Sequence, residues 1–345
     1  LCMKYNKSVI GKLAITTLML LICNVTFAQV SRLYTTQSGL TSSDMYSIDI
    51  DSKGLAWISG ISEIDVFDGT KFYNITKLFP NHKGINAFKK VVEYKDDKYW
   101  LATSNGLYLL NGRDCTLEHK LLSADEDSVM GYSVNHIIDY IEPGMKLVST
   151  EGNGLFVFDT EKQEVDTVVT RKLRKIAPFP FCSQVYIDAD GYLWGTAVFR
   201  QVFKINLKTM AMETYQTTPD VDRILLLNNV SDILQSRKTK NIYFGTGHGM
   251  LVYDYKQKIL RATPNALTNP MPITTLFEDQ NDKILVGTDN HGLWQMTADE
   301  NLSSFHYNDP SMNIEFAKVR SFASDKDGNL IIGFAQKGVF VVPRN

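Results

Sequence analysis

The sequence predicts an all-β fold, a seven-bladed β-propeller built from four-stranded antiparallel blades. One observation is a recurring pattern: a turn, a short strand that carries a large apolar anchor residue, a second turn and another short strand. Another is its spacing, because successive anchors lie 42 to 49 residues apart. A composition with 11% aromatic and 44% hydrophobic residues also suits a β-rich core. The seven anchors are Trp57, Trp100, Leu147, Trp194, Tyr243, Leu285 and Ile331.

Each repeat unit is expected to contain four strands in chain order. The innermost strand is a β-branched run, followed in the clearest units by an Asp-x-x-Gly turn at residues 51–54, 188–191 and 325–328. The aspartate side chain caps such a turn, and the glycine supplies the positive φ that the turn requires. The second strand carries the anchor, a second turn with glycine leads to the third strand, and the fourth strand is polar. We therefore expect a chain that is nearly free of helix.

The seventh unit is one strand short, because it stops at Val339-Phe-Val-Val342. The segment from Arg32 resembles the strands that end the other units. An outer strand supplied by the N-terminus would complete the last blade and remove the unpaired edge at the seam. We expect residues 31–36 to close the ring in this way.

Residues 1–28 are predicted to be a secretory signal peptide, followed by the propeller at residues 29–345. Three lysines precede an uncharged apolar run at residues 13–25, and Thr26-Phe-Ala28 offers a cleavage site. The run is short for a membrane span, so an uncleaved anchor is the less favoured alternative. The expected location is the periplasm, with no membrane span in the mature chain.

The cysteines do not form a metal-binding or redox pattern. Cys2 and Cys23 belong to the predicted leader, and Cys115 and Cys182 fall in different units. Two separate thiols are favoured over a disulfide between neighbouring blades.

Composition and motifs exclude several function classes. The net charge is −2 and no lysine- or arginine-rich run occurs, so no nucleic-acid partner is expected. The Asp-x-Asp-Gly segments superficially resemble calcium loops, but glycine stands fourth where an EF-hand has it sixth, so neither metal nor cofactor is expected. No nucleophile elbow, zinc-protease motif or phosphate loop occurs.

The repeated pattern Asp-x-x-Gly-x-Leu-Trp-x-Gly-Thr-x-x-Gly-Leu-x-x-x-Asp follows an opening Tyr34-Thr-Thr-x-x-Gly-Leu40. Together they resemble the two-component-regulator propeller repeats, over essentially all of residues 30–342. Such repeats form the periplasmic sensor region of hybrid two-component histidine kinases in Bacteroidetes. The resemblance implies a sensor that acts with other domains or chains, such as a second propeller, a β-sandwich, a membrane span, a kinase and a regulator. With no kinase domain in this sequence, no enzymatic activity is expected of the chain.

Candidate ligand-binding residues lie in the second-turn loops of units three to six. Unit four lacks the usual glycine there, and its Phe199 and Arg200 would suit a sugar ring that bears an acidic group. His248 and His291 occupy aligned turns on adjacent units. Long loops into the inner strands share the same rim because the strands alternate in direction. The predicted binding residues are Glu151, Asn153, Phe199, Arg200, His248, Asp289 and His291.

Three function classes remain open at this stage. The first is a periplasmic propeller that binds an oligosaccharide and relays the signal through other domains or chains. The second is a lyase or glycosidase at the ring axis, which would need two carboxylates converging on one face. The acids of the second-turn loops are Glu63, Glu151 and Asp289. The third is a protein-docking scaffold in envelope secretion.

Overall fold

A computed structural model describes residues 31–79, 84–95, 97–123, 132–197, 201–227, 229–305 and 314–344, without the side chains of residues 201 and 227. The predicted signal peptide lies outside these residues. The main compact unit runs from Arg32 to Asn345. Its strands form seven sheets, and the innermost strands of successive sheets touch one another around a closed ring. The predicted seven-bladed propeller is therefore confirmed.

The blades are assembled from consecutive strands, apart from the last one. Blade 1 contains β2 (Met45–Ile50), β3 (Ala56–Gly60), β4 (Ile64–Phe67) and β5 (Phe72–Asn74). Blade 2 contains β6 (Phe88–Lys95), β7 (Lys98–Thr103), β8 (Gly106–Asn111) and β9 (Thr116–Lys120). Blade 3 contains β10 (Ser133–Asp139), β11 (Met145–Glu151), β12 (Leu155–Asp159) and β13 (Glu164–Val165). Blade 4 contains β14 (Cys182–Ile187), β15 (Tyr192–Ala197), β16 (Gln201–Asn206) and β17 (Ala211–Glu213).

The remaining blades vary this plan. Blade 5 has a fifth, outermost strand that runs parallel to its neighbour, and its strands are β18 (Gln216–Thr217), β19 (Val230–Gln235), β20 (Ile242–Thr246), β21 (Gly249–Asp254) and β22 (Ile259–Ala262). Blade 6 contains β23 (Ile273–Glu278), β24 (Ile284–Thr288), β25 (Leu293–Met296) and β26 (Leu302–Ser304). Blade 7 contains β27 (Val319–Ser324), β28 (Leu330–Phe334), β29 (Gly338–Val342) and the N-terminal strand β1 (Arg32–Tyr34).

Strand β1 closes the ring, as the sequence predicted. It pairs antiparallel with β29, with Tyr34 opposite Val339. The Tyr34 ring also packs against blade 1, at 5.0 Å from the Phe67 ring and 5.4 Å from the Phe72 ring. One short strand thus joins blade 7 by backbone hydrogen bonds and blade 1 by apolar contact.

The seven predicted anchors occupy one equivalent position, the second or third residue of the second strand in each blade. All are buried, with at most 6% of each side chain exposed. Where a tryptophan follows an Asp-x-x-Gly turn, the turn holds it. In blade 4, Asp188 Oδ1 accepts hydrogen bonds from the backbone N–H groups of Asp190 and Tyr192, and Oδ2 accepts one of 2.8 Å from Trp194 Nε1. Asp51 holds Trp57 in the same way at 3.0 Å.

Helix is present in three connections within the described residues, which the sequence did not indicate. They are α1 (Thr167–Ile176), α2 (Pro219–Leu227) and α3 (Pro264–Thr268), in addition to two 3₁₀ turns, Thr36–Ser38 and Thr76–Leu78. Helix α1 begins with four β-branched residues, which favour a strand. Its cap decides otherwise, because Asp166 Oδ1 accepts a 2.9 Å hydrogen bond from the Val169 N–H, and Leu173 is fully buried.

The two cysteines outside the predicted leader are free thiols, as the sequence favoured. Cys182 is buried, and burial raises the pKa of its thiol to about 12. Cys115 is half-buried at another blade.

Alanine at Gly338 should open the seam of the ring. Gly338 has a φ of +99°, and a Cβ there would overlap the carbonyl oxygen of Tyr34 in β1. Gly69 is a matched control, because it has a φ of +97° with nothing within 4 Å of a Cβ. Both variants carry the backbone strain of about 1–2 kcal/mol. We expect Gly338→Ala to lose about 1–3 kcal/mol more in the free energy of unfolding, because only it displaces β1.

The measurement is denaturant unfolding of both variants beside the parent. Equal losses for Gly338→Ala and Gly69→Ala would show that the β1 pairing does not hold the ring closed.

Candidate functional site: the axial cavity and its mouth

A four-residue pattern of one apolar, two polar and one apolar residue occurs in the inner strand of every blade. It reads Met45-Tyr-Ser-Ile48 in blade 1, Phe88-Lys-Lys-Val91 in blade 2 and Val134-Asn-His-Ile137 in blade 3. All fourteen flanking apolar residues, including Cys182 in blade 4, are buried. A regular strand alternates its side chains between two faces, so two apolar residues three positions apart would point in opposite directions.

A β-bulge resolves this conflict in the same place in all seven blades. The register between the first and second strands shifts by one residue at the polar pair each time. The extra residue lets both apolar neighbours point into the blade interfaces while both polar residues face the axis.

The bulges produce two stacked rings of polar side chains around the axis. We call the set nearer the start of the inner strands the mouth ring: Tyr46, Lys89, Asn135, Ser183, Ser231, Thr274 and Arg320. The second ring follows one residue later: Ser47, Lys90, His136, Gln184, Asp232, Thr275 and Ser321. These fourteen residues line a cavity of about 750 Å³, which is in the size range of small-molecule sites.

The cavity lies toward the rim that the sequence predicted for binding. Its lining comes mainly from the first halves of the inner strands, and antiparallel pairing puts these beside the ends of the second strands. Ser133 at the start of β10, for example, pairs with Glu151 at the end of β11. Glu151 accordingly lines the cavity.

Several ring residues also fasten neighbouring blades together. Asp49, just below the second ring in blade 1, accepts hydrogen bonds of 3.0 Å from Lys90 Nζ and from the Val91 N–H of blade 2. Lys89 Nζ in turn donates to Ser133 Oγ and Asn135 Oδ1 of blade 3, each at 2.7 Å. The charged groups of blades 1 to 3 therefore position one another.

The same arrangement continues around the ring. His136 Nδ1 donates to the carbonyl of Val185 in blade 4 at 3.2 Å, since a carbonyl oxygen can only accept. Asp232 Oδ2 of blade 5 accepts a 2.7 Å bond from the Leu276 N–H of blade 6. Thr274 Oγ1 donates to the Val319 carbonyl of blade 7 at 2.6 Å, and Ser321 Oγ accepts from the Ile48 N–H of blade 1 at 3.0 Å.

Burial and neighbouring charges set the protonation of these groups. Burial, helped by the charge of Lys90, lowers the pKa of His136 to about 4, so its imidazole is neutral at neutral pH. The Asp49 carboxylate raises the pKa of Lys90, whereas burial lowers that of Lys89. Burial raises the pKa of Asp232 above its ordinary value, against its hydrogen bonds and the charge of Lys90.

The described members of the predicted site have different surroundings. Glu151 lines the axial cavity, with its Oε2 at 3.9 Å from Lys89 Nζ. Asp289 lines a second cavity of about 530 Å³ at the mouth, where Lys318 Nζ lies 2.8 Å from its Oδ2. The two cavities share Lys318 and Arg320, so Glu151 and Asp289 belong to one continuous rim.

The other predicted residues lie outside these cavities or outside the described chain. Asn153 is engaged by α1, because its carbonyl and its Oδ1 both accept from Arg174 Nη2. His248 and His291 are not among the described residues that line either cavity. Phe199 and Arg200 lie outside the described residues, and their role stays a prediction.

The two polar rings were not predicted, although the sequence contains their signal. In each unit two polar residues stand between two apolar ones near the start of the inner strand. Only the comparison of all seven units would separate this signal from ordinary exposed polar residues.

The structure gives no support for a metal site or a membrane-spanning helix within the residues it describes. No three His, Cys, Asp or Glu side chains gather there as metal ligands would. The Asp-x-x-Gly aspartates instead cap their own turns. No described helix has the length and apolarity needed to cross a bilayer.

Solved extracellular sensor domains share this fold. The chain aligns with that of the putative hybrid two component system BT3049 from B. thetaiotaomicron at a TM-score of 0.72 and 18% identity, over 91% of this chain and 41% of that one. It aligns with that of BT4673 from the same organism at a TM-score of 0.72 and 17% identity, over 92% and 43%. PorZ, a surface component of the type-IX secretion system of Porphyromonas gingivalis, aligns at 0.63 and 13%, over 87% and 46%.

These likenesses define the chain as a seven-bladed propeller of the architecture found in those domains. The chain spans less than half the length of each of the three solved chains. No protein-family model and no curated protein matches the sequence.

The acids of blades 1 and 5 should both be needed for stability, with a different pH dependence. The raised pKa of Asp232 means that its protonated form stabilises the fold at low pH and that this stability is lost as the pH rises through the folded-state pKa. Asp232→Asn should cost about 1–3 kcal/mol at neutral pH, because the two carboxylate oxygens accept from the Ile233 and Leu276 N–H groups and an amide nitrogen cannot accept. The parent should gain further on the variant between neutral and mildly acidic pH. Asp49→Asn should cost about 1–3 kcal/mol, because it leaves Lys90 without its carboxylate.

Thermal melts of the parent and both variants across this pH range provide the measurement. An Asp232→Asn variant as stable as the parent at neutral pH would contradict this account of the cavity.

Proposed function

We propose that this chain is the ligand-binding propeller of an exported sensor, which takes an oligosaccharide at the mouth of the axial cavity and relays its presence to other domains or chains. The observation that carries the proposal is the bulge repeated in all seven inner strands. It turns fourteen polar side chains toward one cavity of about 750 Å³. A central channel belongs to every propeller, and what the bulges add here is its polar lining.

The cavity lining suits a ligand rich in hydroxyl groups. Its hydroxyls, amides, lysines and carboxylates offer both donors and acceptors around the ring. Tyr46 in the mouth ring and Phe181 beside Glu151 add aromatic faces, on which the apolar face of a sugar can stack. Glu151 and Asp289 on the rim, with the predicted Phe199 and Arg200 of blade 4, would extend the contacts of a longer chain.

The fold likeness to extracellular sensor domains supports a role outside the cytoplasm, and the predicted leader agrees with it. The acids of the cavity favour binding over catalysis. Asp49 and Asp232 already accept hydrogen bonds across blade junctions, which leaves Glu151 as the acid with a mostly exposed side chain. Glycoside hydrolysis needs two carboxylates free to act on one bond.

Filling the cavity should abolish binding and leave the fold intact. We expect Gln184→Trp, in the second ring, to occupy the space that the ligand requires. Gln257→Trp on an exposed turn is the matched control, since it adds the same side chain away from the axis. The measurement is calorimetric titration against a panel of neutral and acidic oligosaccharides, with product analysis of each mixture.

We expect the parent and Gln257→Trp to bind at least one oligosaccharide, Gln184→Trp to bind none, and no product to form. Binding that survives in Gln184→Trp would place the site elsewhere. Turnover of an oligosaccharide by the parent would favour the enzyme alternative.

A further inference from the structure

Beside the axial cavity, the loop between blades 6 and 7 presents one large apolar side chain to solvent. Phe316 is 72% exposed, the highest value among the large hydrophobic residues that the structure describes as exposed. It lines the mouth cavity of about 530 Å³ together with Lys318, Arg320 and Asp289. A single exposed aromatic side chain is common on protein surfaces and needs no explanation. One that borders a polar cavity beside cations is suited to stack on a bound ligand.

The backbone around Phe316 is fixed on both sides. The Ala317 N–H donates to the Ile314 carbonyl at 3.0 Å, which closes a tight turn with Phe316 at its tip. The Ala317 carbonyl accepts a 3.1 Å bond from the Gly292 N–H of blade 6, and Ala317 itself is buried. The turn therefore holds the backbone at Phe316 beside the mouth in a defined place, which lowers the ordering cost of a ligand that stacks there.

Arg320, in the mouth ring of blade 7, is the second component. Its guanidinium carbon lies 6.0 Å from the centre of the Tyr46 ring of blade 1. Its Nε is buried without a hydrogen-bond partner among the described residues. A buried donor without a partner costs about 1–3 kcal/mol, so the Arg320 side chain gains from a change of conformation that brings Nε to an acceptor, such as one on a ligand.

The cations around the mouth outnumber the acids. Asp289 is already paired with Lys318 Nζ at 2.8 Å. The cavity lining holds three cations, Lys318, Arg320 and Lys337, against two acids, Asp44 and Asp289. Farther along the same side of the axis, blade 2 adds Lys89 and Lys90. The basic groups thus lie on blades 7 and 2, and the buried acid Asp232 lies on blade 5.

We propose that the mouth between blades 6, 7 and 1 is an anion-recognising subsite, which takes a carboxylate or sulfate carried on a sugar ring. The ring stacks on Phe316, and its anionic group accepts charge-assisted hydrogen bonds from the Arg320 guanidinium. Asp44 on the same mouth repels an anion placed the other way round, so it fixes the orientation. This inference rests on the proposed function and adds the class of ligand, an acidic oligosaccharide.

The test uses the full chain and three probes: tetragalacturonate, its carboxyl-reduced neutral counterpart, and a sulfated form of that neutral tetrasaccharide. Calorimetry should give at least tenfold tighter binding of an acidic probe than of the neutral one. The sulfated and uronate arms distinguish the two sources of the anion. Arg320→Gln should remove this preference, so that the acidic and the neutral probes bind alike.

Two further variants separate charge, shape and stacking. Arg320→Lys keeps the charge but loses the planar fork, so we expect it to retain only part of the preference. Phe316→Ala should weaken acidic and neutral probes by a similar factor. The matched control is Lys326→Gln, which removes one positive charge from an exposed turn on the opposite rim of the same blade and should bind like the parent. Melting curves establish that each variant is folded.

An unchanged preference for the acidic probe in Arg320→Gln would overturn the subsite. Equal binding of acidic and neutral probes by the parent would overturn it too, while leaving the proposed oligosaccharide-binding function in place. If none of the three probes binds, the subsite fails, and the titration against the wider oligosaccharide panel decides the proposed function separately.

Discussion

The pairing of β1 with β29 is the interaction on which the rest of this structure depends. Three residues supply the outer strand of blade 7, and Tyr34 among them packs against Phe67 and Phe72 of blade 1. An array of blades that each contact only their neighbours has two exposed ends. It stays open until such a strand joins the last blade to the first. Closure then fixes the distance between opposite inner strands, and with it the size of the cavity on the axis.

The repeated bulge connects that ring to its chemistry. Without the extra residue, one member of each polar pair would point into a blade interface, and an apolar neighbour would face water. With it, the same side chains hold neighbouring blades together and line the cavity, as Asp49 and Lys90 do between blades 1 and 2. Such groups are costly to bury unless every one is paired. Among the ring side chains that the structure describes, Arg320 is the one with a buried polar atom, Nε, that has no described partner.

Much of the fold could be read from the sequence, because its signals repeat seven times. The spacing of the anchors predicts the number of blades. The aspartate and glycine of the three Asp-x-x-Gly turns predict the turn geometry, and the structure has a φ of 83° at both Gly191 and Gly328. Helix α1 could not be read, since its β-branched start favours a strand and only the Asp166 cap and the burial of Leu173 decide for helix. Of the predicted binding residues, Glu151 and Asp289 border the cavities, and their role in binding stays a prediction. The rings were missed because polar pairs look like ordinary surface, and Phe316 because exposure is a property of the folded loop. The predicted pair Phe199 and Arg200 lies outside the described residues.

The central claim is that the axial cavity, and not the outer faces of the blades, receives the ligand. A crystal structure of the protein soaked with the oligosaccharide that it binds most tightly tests this claim most directly. We expect sugar density on the axis, at the rim that carries the second-turn loops, in contact with residues of the mouth ring from several blades. Density confined to the outer strands, or to the opposite rim with its Asp-x-x-Gly turns, would contradict it.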